Sequence, residues 1–418
     1  MTAQPPIRCA LPVDAELRRR AAAVVPGGLW GHMDVSRMPD GYPQFFESAE
    51  GCRLRDADGN EYVDFMCAYG PMVLGYRDPE VEAAAAAQAA KGDVFDGPAP
   101  VLVDLAEKLV STVAHADWAM FQKNGADATT SCVTLARAGT GRRKILVARG
   151  AYHGAVPWCS PSLSGVTAED RAHIVEYEYN DAESLRAAAA AADGDLAAVV
   201  ATAFRHDVRR DQELADPAFA RAAREVCDAA DAALILDDVR AGFRLHPAGS
   251  WEPLGVRPDL SAFSKSIANG HALAAVAGSD RWREAAANVF VTGSFWCSAV
   301  PMAAALAALE RLGAPEASRH MAAMGVRLRD GVDAQAAAHG VRLRQSGPPQ
   351  MPLILFDDDP DLAKGSLFCL EALRRGVYLH PWHNMFLSTA HQPEDVDRAL
   401  EATDAALAAV ARSFPAAA

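Results

Sequence analysis

Lys265 closes the run Leu260-Ser-Ala-Phe-Ser-Lys265 and is followed at once by a small turn, Ser266-Ile-Ala-Asn-Gly270. Earlier in the chain a second apolar run, Ala233-Leu-Ile-Leu-Asp237, also ends in an ionisable residue. Read as two strands, both deliver a reactive group from a C-terminal end, and their separation suits one strand-to-strand crossover. An amine able to form an imine, beside a carboxylate able to keep a pyridinium nitrogen protonated, is the least that pyridoxal phosphate chemistry requires. Few lysines compete for the role: besides Lys265 only Lys91, Lys108, Lys123, Lys144 and Lys364 occur.

Two further segments fit the same crevice. Phe121-Gln-Lys-Asn124-Gly125-Ala126-Asp127 reads as a strand passing through glycine into a helix, whose first amides and macrodipole suit a phosphate. Alone this turn reads more readily as a purely structural one, because strand–glycine–helix turns are common. Gly150-Ala-Tyr152-His153-Gly154 follows the apolar run Lys144–Ala148, and either ring can stack on a flat heteroaromatic cofactor, or simply pack.

The elements that must position these residues alternate. Helices are predicted over 79–91, 101–113 and 126–138, and strands over 119–122, 144–148, 174–177, 197–203, 233–236, 260–264 and 274–278. Short apolar strands separated by amphipathic helices imply an α/β fold with a mostly parallel seven-stranded sheet covered on both faces. Residues 1–50 read as an N-terminal arm with a helix near 14–25. Residues 51–312 read as the large domain, opening on strands at 51–55 and 61–65, and residues 313–418 as a smaller α+β domain. Its strands are expected near 342–344 and 351–356.

With 40 basic against 54 acidic residues the formal charge is −14, which argues against nucleic acid or an acidic membrane surface as a partner. The start, Met1-Thr-Ala-Gln-Pro-Pro, lacks the features of a signal peptide, and no apolar run is long enough for a membrane span. Eight scattered cysteines without a CxxC pair suit reduced thiols, and a cytoplasmic protein is expected. His380 and His383 are three apart, but Pro-Trp lies between them and no acid stands near, so no metal site is expected. Neither a G-x-G-x-x-G run nor a phosphate-binding G-x-x-x-x-G-K-[ST] loop is present.

Tyr69-Gly-Pro-Met-Val-Leu-Gly75, the Asn124 turn, Gly-Ala-Tyr152-His153-Gly, Asp237-Asp-Val-Arg-Ala-Gly-Phe-Arg244 and Lys265 occur in an order that resembles class III aminotransferases, most of all the glutamate-1-semialdehyde aminomutase branch. The resemblance spans nearly the whole chain. It implies pyridoxal phosphate fold type I, a homodimer with the active site at the interface, and exchange of an amino group between an amino donor and a keto acceptor. Carried onto this sequence, Lys265 would bear the cofactor and shuttle the proton, while Asp237 would hold the ring nitrogen. Val239 and Tyr152 would enclose the ring, Asn124, Gly125 and Ala126 would bind phosphate, and Ser294 would reach the partner's phosphate. His153 and Asp207 fall near the cofactor edge.

Departures concern the substrate. Position 126 lacks the usual hydroxyl, the second acid of the Asp-Glu pair is shortened to Asp238, and Val200-Ala-Thr-Ala-Phe-Arg205-His206-Asp207 replaces a Val-Glu-Pro-type segment. The arm, Gly28-Leu-Trp30-Gly-His32-Met, has no carboxylate-binding serine and arginine, and Ser294-Phe-Trp296 replaces a smaller turn. Glutamate-1-semialdehyde is therefore not the expected substrate. Trp30, His32, Tyr69 and Trp296 are candidate aromatic walls, with Arg205 and His206 as polar contacts to substrate, Arg205 alternatively being held in a salt bridge. An aminomutase or a racemase using the same lysine is the alternative reading, because the first proton abstraction is common to all.

Overall fold

Unbroken apolar runs alternating with helices build one seven-stranded sheet in the computed structural model, which describes residue 7 and residues 10–415. Across the sheet the strands lie in the order Trp118–Gln122, Ala274–Gly278, Leu260–Phe263, Ala233–Asp237, Leu196–Thr202, Lys144–Ala148 and Ile174–Tyr177. Only Ala274–Gly278 runs antiparallel to its two neighbours, so the sheet is mostly parallel, as expected. Leu196–Thr202 and Ala233–Asp237 are buried along their whole length. Both faces of the sheet are covered, which is why these strands read as continuous rather than alternating apolar runs.

Side chains of one strand divide between the two faces. Leu234 and Leu236 join Phe219, Cys227 and Trp251 on one side, beneath the helices Ala182–Ala191 and Pro217–Ala230. Ala233 and Ile235 face Ala128, Cys132 and Leu135 of the helix Gly125–Thr140 on the other. The sequence-derived elements match the observed ones to within a residue or two.

A second sheet carries a connection that hydrophobic pattern alone does not show. The antiparallel strands Phe46–Glu50, Arg53–Asp56 and Glu61–Asp64 are extended by Val377–Tyr378, which pairs parallel to the last of them. Segments assigned to different units from the sequence thus share one sheet. One apolar cluster likewise joins Ile267, beside Lys265, to Met302, Val332, Phe368 and Leu407. The crevice is therefore framed by segments from both ends of the chain.

Among the described residues no helix is long and apolar enough to cross a membrane. Seven cysteines stand as free thiols; Cys9 and the segment 1–6 lie outside the described residues.

Candidate active site

Asp237 and Lys265 arise from neighbouring parallel strands, with Asp237 in register with Ala262 and Lys265 three residues further on. The sheet thus brings the two groups to one end of the barrel-less crevice that a parallel sheet leaves open. Asp237 is 7% exposed, and its Oδ2 accepts from Nδ1 of the buried His153 at 2.7 Å. Its Oδ1 accepts from the Val239 amide at 3.1 Å, so the carboxylate is held in one orientation.

Lys265 sits with φ +50°, in the left-handed region that non-glycine residues avoid. The turn is over-determined by its neighbours: Ser264 Oγ donates to Leu273 O at 3.0 Å and Ser266 Oγ to Gly242 O at 2.7 Å. Asn269 bonds the backbone of Leu74 and Gly75. Lys265 has no hydrogen-bond or ion-pair partner among the described residues. Burial first, and then the charge of Arg240, push its amine down to about 7, although Asp237 pulls the other way. An appreciable share of the lysine is then uncharged at neutral pH, which is the form that can attack a carbonyl.

Three loops meet at the phosphate-type turn. Asn124 precedes the helix Gly125–Thr140, and its amide donates to Asp127 Oδ2 at 2.9 Å. The next two amides, of Gly125 and Ala126, have no partner among the described residues, as the first turn of a helix dictates. A methyl at Gly125 would lie 2.6 Å from Val239 Cγ1, and one at Gly154 would lie 2.6 Å from Ala126 Cβ. These glycines let the Val239 turn and the His153 loop close onto the helix start. Thr129 Oγ1 donates to His153 O at 2.8 Å and seals the contact. His153 also lies parallel to Trp158, with ring centroids 6.1 Å apart, and Tyr152 remains 44% exposed.

A wall of rings stands beside this cluster. Tyr69 packs edge-on against His32 and His383, at 4.8 and 5.4 Å between centroids, and its hydroxyl donates to His32 O. His380 adjoins both His383 and Trp382. Burial drives His380 down to about 3, and burial followed by the Arg240 charge drives His383 far below its ordinary value. His383 Nδ1 donates to Asn384 O at 2.7 Å, so the neutral ring keeps Nε2 as an acceptor. His206, buried edge-on to Phe204, is also held neutral by burial and by the charges of Arg240 and Lys265.

Arg205 takes the salt bridge that the sequence offered as the alternative to a substrate contact. The two-residue strand Phe204–Arg205 pairs with Glu213–Leu214, placing Glu213 opposite Arg205. The guanidinium, 6% exposed, bonds Asp207 Oδ2 at 2.8 Å and Glu213 Oε1 at 3.3 Å, so its charge is already met. Asp207 in turn lies against Gly150, where a methyl would come within 3.2 Å of Oδ2. No hydrogen bond or ring contact of the cluster reaches Trp30, Ser294 or Trp296: Trp30 and Ser294 are exposed, and the Trp296 amide bonds back to Gly293 O. Arg240 and Asn384 were passed over in the sequence. Arg240 lies inside the motif that contains Asp237, yet an arginine in a loop carries no mark of burial.

The residues brought together match the needs of pyridoxal phosphate: bare helix amides, a pinned carboxylate, an unpartnered and partly neutral lysine, and an exposed ring. A parallel-sheet fold with this site defines a pyridoxal phosphate enzyme of fold type I. Residues 36–402 match the model of the family Aminotransferase class-III, and the chain belongs to that family. It is 53% identical, over 96% of its length and 94% of the relative's, to an aminopentol aminotransferase of Sphingopyxis macrogoltabida. A glutamate-1-semialdehyde 2,1-aminomutase of Chloroherpeton thalassium is 30% identical over 95% of this chain and 98% of its own. The structure described as the PLP internal aldimine form of the Sphingopyxis sp. MTA144 FumI protein superimposes with a TM-score of 0.95 at 52% identity, covering 97% of this chain and 98% of that one. The protein is a pyridoxal 5'-phosphate-dependent aminotransferase.

Proposed function

We propose that this aminotransferase takes its amino group from a hydroxylated amine of the aminopentol type and passes it to a keto acceptor. The observation that carries the donor class is the ring wall of Tyr69, His32, His380 and His383. Neutral imidazoles offer acceptors for hydroxyl groups beside apolar ring faces, and present no charge to select an amino acid's carboxylate. The name of the 53%-identical relative agrees with this class of donor.

The cofactor supplies an electron sink that acidifies the hydrogen on the amine-bearing carbon. Asp237, oriented by His153, would hold a positive charge at the ring nitrogen. Lys265 Nζ would attach the cofactor and, when free, would hold and move the proton of the donor carbon. The amides of Gly125 and Ala126, with Asn124, would hold the phosphate, and Tyr152 and Val239 would enclose the ring.

The working unit in this proposal is a homodimer. Phe290 and Phe295, 93% and 62% exposed, flank Ser294, and Val94 and Phe95 are about half exposed. Asp93 ties the two segments together by accepting from the amides of Ala299 and Val300, both at 2.8 Å. Such an apolar patch suits a subunit contact that carries Ser294 to the partner's phosphate. Free thiols support a cytoplasmic setting.

The test is a donor half-reaction without acceptor, following the cofactor's visible absorbance. An aminopentol should convert the absorbance in one turnover, and 2-aminobutyrate of matched concentration should do so far more slowly. Equal rates for the two would overturn the donor assignment.

A further inference from the structure

Cys67, Ala68 and Tyr69 stand in succession at φ +46°, +52° and +64°, and Gly70 follows at +108°. A Cβ disfavours that conformation at each of the first three positions, and among the described residues no other run of non-glycine residues shares it. The turn is held at both ends. Buried Asp64 accepts from the Met66 amide on Oδ1 at 2.7 Å, and on Oδ2 from the Cys67 amide at 3.0 Å and the Tyr76 hydroxyl at 2.7 Å. At the far end Arg244 Nη2 donates to Gly70 O at 2.6 Å, and a methyl on Gly70 would lie 2.9 Å from the Phe386 ring. Partners outside the turn therefore impose a backbone shape that its own residues resist, which marks a position under functional constraint.

Tyr69 is the side chain that the turn sends to another segment at the crevice. Its ring meets His32 edge-on at 4.8 Å between centroids, and its hydroxyl donates to His32 O at 3.1 Å. Among the described residues, 29–36 receive no other hydrogen bond from outside the arm. Gln44, which donates to Met33 O at 2.7 Å and accepts from the Val35 amide at 2.9 Å, belongs to the arm itself. Trp30 and Met33 are exposed, so burial gives this stretch little hold. Behind Tyr69 stand His380 and His383, with centroids 6.2 and 5.4 Å away. Burial and then the charge of Lys265 lower His32, which agrees with an arm tip seated over the lysine side of the crevice.

We propose that Asp64, acting through the left-handed turn, positions the Tyr69 hydroxyl to fasten the arm at His32, and that the fastened arm retains the amine donor. Asp64 is a positioning residue, since it reaches the crevice only through Tyr69. A phenol has one proton to give, and here His32 O takes it, so the hydroxyl acts on the donor through the arm rather than by direct contact. The proposal rests on the ring wall as the donor side, taken from the reading above, and is independent of which amine is the donor.

The experiment pairs hydrogen–deuterium exchange of the donor-free holoenzyme with the donor half-reaction at a series of aminopentol concentrations. The half-reaction gives an apparent dissociation constant and a limiting rate. Tyr69→Phe keeps the ring and removes the fastening hydroxyl. Amides of residues 31–35 should then exchange about fivefold faster, the effect of one neutral hydrogen bond. The apparent dissociation constant should rise by a similar factor, with a smaller change in the limiting rate. Asp64→Asn leaves one acceptor oxygen for three donors and should bring the same pair of changes. Adding Ala68→Gly to Asp64→Asn should recover part of both, because glycine takes the left-handed turn unaided. Absence of recovery would overturn the role given to Asp64. Unchanged exchange at 31–35 in Tyr69→Phe would overturn the latch, even with donor binding weakened, because the hydroxyl would then be a direct donor contact. An Asp64→Asn protein with a lower thermal midpoint but wild-type exchange and donor binding would make Asp64 merely structural. If Asp64→Asn does not fold, Tyr69→Phe still decides the latch. Failure of the aminopentol half-reaction would sink the donor assignment and leave the exchange measurement to judge this proposal.

Discussion

Replacing Lys265 by methionine keeps the length and burial of the side chain while removing its amine, and the cofactor-free protein should become more stable for a calculable reason. Folding lowers the lysine from its ordinary 10.5 to about 7. Between those values the unfolded chain binds a proton that the folded one releases, so this group costs stability at low pH and the cost fades as pH rises. Three and a half decades of proton affinity correspond to about 5 kcal/mol, of which about 4 remains at pH 7 and about 2 at pH 9. Lys265 keeps a narrow opening to solvent, so these figures are upper bounds. The informative quantity is the difference: the stability gap between Lys265→Met and wild type should shrink by up to about 2 kcal/mol from pH 7 to pH 9. Urea denaturation of both cofactor-free proteins at the two pH values measures it, with titrating groups remote from Lys265 cancelling between the pair. A gap that is pH-independent, or a variant less stable than wild type at pH 7, would refute the claim that burial lowers the proton affinity of this amine.

The same shift predicts how cofactor-free protein captures pyridoxal phosphate: the rate should rise with pH, with a midpoint near 7, and level off above it, as stopped-flow absorbance at a series of pH values would show. A flat profile would exclude the neutral amine as the attacking form. Asp237→Ala removes the partner of His153 and the carboxylate proposed to hold the ring nitrogen, and should slow turnover by about 10- to 150-fold or more while leaving the fold intact by circular dichroism. Gly125→Ala puts a methyl 2.6 Å from Val239 and should cost about 1–3 kcal/mol in stability or cofactor affinity, read by equilibrium dialysis of the cofactor. Phe290→Asp with Phe295→Asp should convert a dimer to monomers in light scattering; a wild-type monomer would remove the dimer proposal outright.

Much of the architecture was legible because parallel strands buried on both faces leave unbroken apolar runs, as Leu196–Thr202 and Ala233–Asp237 do. Lys265, Asp237 and the Asn124 turn could be found because each stands where an apolar run or a glycine ends, a position that strand geometry makes functional. Arg205 shows the limit. Its neighbour in sequence, Asp207, is visible, yet the partner that completes its neutralisation, Glu213, faces it only after two short strands pair.

Residue types and hydrophobic period were enough to place the sheet, Lys265, Asp237 and the turn at Asn124, because those positions depend on local backbone rules and on contacts between adjacent strands. Tertiary structure decided the rest: which histidines are neutral, that Asp237 leans on His153, that Glu61–Asp64 pairs with Val377–Tyr378, and that Arg240 bonds Asn384. These properties are set by burial and by partners distant in the chain, such as Asn384 for Arg240. Desolvation and charge pairing act through space, and a linear sequence records neither until the chain has closed on itself.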